Sequence, residues 1–111
     1  MICAIIKLEN NKLPSKIVQK ILEQIIFNNK FYRTQYRISN SVAVNENTLW
    51  LCHRNGQKKI NIDISFNKAT DLYDIKAYQI KGVDVDLIFN KTGFYWDNLT
   101  EVIAEITGIK Q

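Results

Sequence analysis

Proline occurs once and glycine four times in 111 residues, a scarcity that leaves little room for linkers, disordered tracts or a chain of several domains. Histidine is present once, at His53, and the two cysteines, Cys3 and Cys52, have no metal-ligand spacing. Neither a zinc site nor a disulfide scaffold is therefore expected, and the two thiols are read as buried or half-buried. No apolar run approaches the roughly 20 residues a membrane-spanning helix needs. The opening MICAIIKL meets Lys7 and Glu9 too soon for a signal peptide, so a cytoplasmic protein without a membrane partner is expected. Gly-rich phosphate loops, G-x-S-x-G and H-E-x-x-H are all missing, which leaves catalysis without a centre. No enzyme activity, cofactor or metal is expected.

What is present is an ordinary globular composition, 46 % hydrophobic and 23 % charged, in a chain the size of one domain. Its net charge of +4 is unevenly spread. Residues 1–60 hold ten Lys or Arg against three Glu, and residues 61–111 hold five Lys against eight Asp or Glu. That split predicts a basic surface and an acidic one, a property that bears on partners more than on fold. Ile, Lys and Asn supply 41 residues and Ala only five, a bias of AT-rich coding DNA. In this general character the chain is similar to small proteins of phages and mobile elements.

Residues 2–8 are apolar almost throughout and predict a strand buried on both faces. Pro14 then suits the first turn of a helix whose apolar stripe is Ile17, Val18, Ile21, Leu22, Ile25 and Ile26, with Asn28 and Asn29 as its stop. FYRTQYRI, residues 31–38, is aromatic and β-branched and predicts a strand, with Arg33, Gln35 and Arg37 forming one polar face. SVAV between two turn-prone stretches predicts a short strand or an irregular connection.

Asn55-Gly56 between alternating segments predicts a hairpin with those two residues as its loop, so that Arg54 faces Gln57 and Leu51 faces Ile60. Leu49, Leu51, Ile60, Ile62, Ile64 and Phe66 then share the apolar face, while Trp50, Cys52, Arg54, Lys59, Asn61, Asp63 and Ser65 share the other. Cys52 and His53 point to opposite sides and cannot act as a dyad. His53, opposite Lys58 near the turn, is expected to be solvated. A second hairpin is predicted around a three-residue loop with Gly82 left-handed, which sets Ile75 opposite Leu87 and Lys76 opposite Asp86. FYW then reads as a last short strand, and Asn98 with Glu101 as the cap of a helix ending at Gly108.

The fold class expected is α+β: a mainly antiparallel sheet of hairpins with an N-terminal amphipathic helix and a short C-terminal one, in the order strand, helix, four to six strands, helix. Helices packed on one side would leave the other side of the sheet open. On that side Trp50, Arg33, Arg37, Arg54, Lys59 and Tyr78 are expected to place cations beside π-surfaces. Trp, Tyr and Arg in such a setting suit a protein partner or self-association, and nucleic acid is the alternative. Asp74, Asp84 and Asp86 form a third, acidic patch with conceivable metal or acid–base chemistry.

Overall fold

The computed structural model describes residues 16–109. The strand expected over residues 2–8 and the placement of Cys3 lie outside the described residues. Helix α1 (Lys16–Asn28) leads to a single helical turn, α2 (Tyr32–Gln35). Five strands follow, β1 (Ile38–Asn45), β2 (Thr48–Asn55), β3 (Lys58–Asn67), β4 (Leu72–Lys81) and β5 (Asp84–Phe94), and then helix α3 (Leu99–Thr107). The strands form one antiparallel meander in the order of the chain. This is the α+β arrangement that the hydrophobic pattern predicts.

Helix α1 forms where the apolar spacing requires it, and Val18, Ile21 and Ile25 are fully buried. Each contributes about 1.5 to 3 kcal/mol through burial. The helix stops at its asparagines. Asn28 Nδ2 donates to the Gln24 carbonyl at 2.9 Å and to the Trp96 carbonyl at 3.1 Å, tying the last turn of α1 to the segment before α3. Asn29 Oδ1 accepts from the Phe31 amide at 2.9 Å and its carbonyl from Tyr32 at 3.1 Å, which starts a new turn at once.

Because of that turn, FYRTQYRI is not a strand. Gln35 N bonds to the Phe31 carbonyl and Tyr36 N to the Tyr32 carbonyl, so the segment is helical, and both tyrosines are buried. Residues four apart share a side in a helix and in a strand alike, so the Tyr32–Tyr36 spacing satisfies either form. Arg37 then reverses the chain at a φ of 53°. SVAV belongs to β1.

The first hairpin closes one residue later than the sequence suggests and the second closes with a shorter loop. Asn55 pairs with Lys58, which leaves Gly56-Gln57 as the loop and moves the register by two residues. Leu51 faces Ile62, Leu49 faces Ile64, and Thr48 Oγ1 meets Ser65 Oγ at 2.8 Å. A shift of two preserves which side each residue faces, so the expected faces stand. At the second hairpin Lys81 pairs with Asp84 and the loop is Gly82-Val83. Lys76 therefore faces Asn90 on β5 and Asp63 on β3, not Asp86, and Tyr78 faces Leu87. In each loop glycine alone has positive φ, +65° at Gly56 and +59° at Gly82. Glycine first and an ordinary residue second is the sign pattern of a type II′ turn, not the type I′ turn that Asn-Gly favours.

The core lies on one side of the sheet. Leu49 and Leu51, Ile60, Ile62 and Ile64, and Tyr73, Ile75 and Ala77 pack there with α1 and with Leu99, Val102, Ile103 and Ile106 of α3. FYW is divided between elements: Phe94 ends β5, and Trp96 opens a 3₁₀ turn, Trp96–Asn98. Asn98 caps no backbone amide of α3, although its Nδ2 donates to the Glu101 carboxylate at 3.3 Å. Its Oδ1 accepts instead from the Tyr95 amide at 3.3 Å, while Gly108 ends the helix in left-handed geometry as expected.

Candidate binding face

Strand alternation assembles the outer face in rungs. One rung runs Val42, Trp50, Asp63, Lys76 and Asn90; the next runs Asn40, Cys52, Asn61, Tyr78 and Leu87. Beyond it Arg54, Lys59, Ile80 and Val85 stand side by side. Trp50 and Tyr78 are half-buried, while Arg54 and Lys59 are exposed and directly opposite one another. Like charges so placed repel, and an anionic group between them would relieve the repulsion.

Four of the six expected contact residues, Trp50, Arg54, Lys59 and Tyr78, thus meet on this face. Arg33 and Arg37 do not form a ladder beside them. Arg33 is an exposed residue of α2, and Arg37 lies in the turn before β1, where its carbonyl accepts from the Arg54 amide at 3.1 Å. The helical turn at residues 32–35 removed the strand on which that ladder depended. Charge divides neither by halves of the chain nor cleanly along the strands, since Asp84 and Asp86 share the end of the sheet with Lys81 and Lys68 shares the other end with Asp71. Arg37, Arg54, Lys58, Lys59 and Lys81 gather where β2 meets β3 and β4 meets β5, and Glu46, Asp71 and Asp74 lie toward the other end.

Two ionisable groups on the outer face are perturbed. Burial pushes the Asp63 carboxyl above its ordinary value, partly offset by the facing Lys76 ammonium. Burial likewise raises the Cys52 thiol, moderated by Arg54, and a thiol held protonated is a poor nucleophile. The three acids of the expected acidic patch are not brought together. Asp84 and Asp86 pair with Lys81 and Gln79 at one end of β4, and Asp74 lies five residues further along, roughly 17 Å at strand rise.

His53 is the clearest correction. It is 1 % exposed on the inner face, opposite Ile60, and not solvated. Its Nδ1–H donates to the Tyr36 carbonyl at 2.6 Å, which fixes the neutral tautomer, and Nε2 has no partner among the described residues. Burial holds its pKa below 6.5, opposed by the bond to Tyr36 and aided by Lys58 and Arg37. The two-residue register shift caused this, by moving His53 from the rim into the apolar row.

Three surface features escaped the sequence reading. The tip of the β4–β5 hairpin is bare and apolar: Val83 is 96 % exposed, Val85 59 %, Leu87 52 % and Ile88 43 %. The alternation Val83-Asp84-Val85-Asp86-Leu87 predicts a core pairing, but the register found sets Val85 opposite Ile80 and Leu87 opposite Tyr78 and turns both outward. A cleft of about 560 Å³ between the two hairpin tips is lined by Arg54, Lys59 and Lys81 with Gln57 and Gln79. A second cleft, of about 580 Å³, lies beside α1 under Phe66, Tyr73, Tyr95 and Trp96. Asp71 at its edge has a φ of 62°, and the Tyr73 hydroxyl donates to Gln24.

Among the described residues no group of His, Cys, Asp and Glu is placed to hold a metal ion, and no helix is long and apolar enough to cross a membrane. No protein-family model, curated protein or solved structure matches this chain.

Proposed function

We propose that the protein is a noncatalytic cytoplasmic binding module that contacts a protein partner, or a second copy of itself, through the outer face of its sheet. The contact centres on Trp50 and Tyr78 and extends over Ile80, Val85 and Leu87. The observation that carries this reading is the one-sided core: the described helices bury only the inner face, and the outer one combines aromatic and aliphatic groups with isolated charges. Exposed apolar surface of this kind, rimmed by polar residues, is characteristic of protein contacts. Aromatic anchors of the Trp50 and Tyr78 type dominate affinity in such interfaces.

Nucleic acid is the second reading, favoured by the facing cations Arg54 and Lys59, which have no ion-pair partner among the described residues, beside the Lys81 cleft. Asp63 and Asp74 on the same face weigh against it, because a phosphate backbone would run past them. A photo-crosslinking residue at Tyr78, compared with one at Glu105 on α3, separates the two. Protein adducts or a crosslinked dimer are expected from position 78 and not from 105. Their absence, together with binding of a labelled single strand that weakens by orders of magnitude between about 50 and 200 mM salt, would replace the first reading with the second.

A further inference from the structure

Strand β5 is the last strand of the sheet, and no described strand pairs with its far side. A free edge presents a row of backbone donors and acceptors, and natural proteins usually shield such rows with charge, bulges or covering elements. Here the run from Asp84 to Leu87 pairs regularly with β4 before a bulge at Ile88, so its backbone is straight and extended. Its side chains alternate. Val85 and Leu87 lie on the outer face beside Ile80 and Tyr78, and Asp84 and Asp86 lie on the inner-face side of the strand, exposed. Neither carboxylate makes an ion pair or side-chain hydrogen bond among the described residues; only Lys81, opposite Asp84, approaches from β4.

This pattern discriminates between occupants. In a two-fold antiparallel pairing of β5 with a second copy centred on this run, even-numbered residues stay on one face. Asp84 and Asp86 of both copies would then meet there, four carboxylates without a cation between them, because Lys91, the inner-face cation of β5, lies past the end of the partner strand in this register. A strand with Lys or Arg alternating with Val, Ile or Leu has the opposite character. It would set its cations against Asp84 and Asp86 and continue the apolar strip of Val85 and Leu87 on the outer face.

We infer that β5 accepts an extended, alternately basic and aliphatic segment of a protein partner as a sixth strand of the sheet. The inference rests on the protein-binding reading above and names where the partner enters and what it carries. Backbone hydrogen bonds to the free edge provide the pairing, and the side-chain alternation provides selectivity, as in other cases of strand addition.

Labelled octapeptides of alternating Lys and Val, and of alternating Glu and Val, titrated into the full chain with fluorescence anisotropy as readout, test it. The Lys peptide is expected to bind at least tenfold more tightly than the Glu peptide. Asp84→Asn with Asp86→Asn should remove most of that difference, and N-methylation of alternate amides along one edge of the Lys peptide should abolish binding. Equal affinity for both peptides, or undiminished binding by the N-methylated one, would overturn strand addition at β5. Crosslinking from Tyr78 to a protein, with no affinity for the Lys peptide, would leave the outer-face reading standing and remove only this inference.

Discussion

The two hairpins of the sheet are closed by the same device and meet opposite fates. Each has a two-residue loop with a left-handed glycine first. Yet β2 and β3 send Leu49, Leu51, His53, Ile60, Ile62 and Ile64 into the core, while the tip of β4–β5 leaves Val83, Val85, Leu87 and Ile88 in solvent. Turn chemistry therefore sets where a hairpin closes, and what lies beneath it sets whether its side chains become core or contact surface. In the first hairpin α1 and α3 supply the covering layer. In the second, the register set at Gly82-Val83 turns Val85 and Leu87 to the outer face, away from that layer, so these two stabilise little and remain free to engage something else, while Phe89 and Phe94 further along β5 pack against the core.

The largest expected contrast is in stability. Leu51→Ala or Ile62→Ala should lower unfolding free energy by about 2 to 5 kcal/mol, since each removes a fully buried side chain between sheet and helices. Leu87→Ala should change it by no more than about 0.5 kcal/mol, as for an exposed site. Denaturant melts with far-ultraviolet dichroism measure both, and a loss at Leu87 as large as at Leu51 would erase the distinction between the hairpins.

Acid should act on the first hairpin alone in the range just below neutrality. The folded pKa of His53 is lowered, so the unfolded chain binds a proton at a pH where the folded one does not. Stability is then complete above 6.5 and falls as pH drops below it, by at most about 1.4 kcal/mol per pH unit, until the folded pKa is reached. Protonation would place an N–H at Nε2, which has no acceptor among the described residues, beside Lys58 and Arg37. His53→Leu should flatten the stability profile between pH 5 and 6.5, whatever its effect on absolute stability.

Gly56→Ala and Gly82→Ala sharpen the comparison further. Nothing crowds a new methyl group at either site, so the cost is the backbone strain of an L-residue at positive φ, about 1 to 2 kcal/mol. Gly56→Ala should express it in full. At Gly82 the tip of β4–β5 can fray instead, because little burial holds it, so the global loss should be smaller and amide exchange near Val83 should accelerate.

Much of this molecule is written locally. The stripe of α1, the alternation of β2 and β3, and Gly108 after α3 each follow from a spacing of apolar groups and one stop residue, and each is found as read except that Ile26, at the edge of the stripe, is 42 % exposed. So is the outward direction of Trp50, which depends only on parity. Residues 31–38 were misread because the deciding contacts come from outside the segment: Asn29 nucleates the turn, and a buried pocket takes Tyr32 and Tyr36. The bare tip of β5 was illegible for a similar reason. Whether Val85 and Leu87 face the helices or the open side depends on the register with β4 and on the bulge at Ile88, which no pattern within β5 encodes.

The smallest expected effect concerns Arg37, the residue that turns the chain from α2 into β1. At a φ of 53° its side chain meets the following carbonyl, a strain of about 1 to 2 kcal/mol that glycine does not pay. Glycine in turn adds freedom to the unfolded chain, worth about 0.5 to 1 kcal/mol. Arg37→Gly should therefore stabilise the protein at neutral pH by only about 0.5 kcal/mol. The substitution also removes one of the two cations that depress the pKa of His53, so the loss of stability on acidification should shrink. Both changes favour the variant, and the gain over the parent should widen as pH falls from 7 toward 5. A gap that stays constant over that range would mean that strain alone distinguishes the two proteins and that the charge of Arg37 does not reach the buried imidazole.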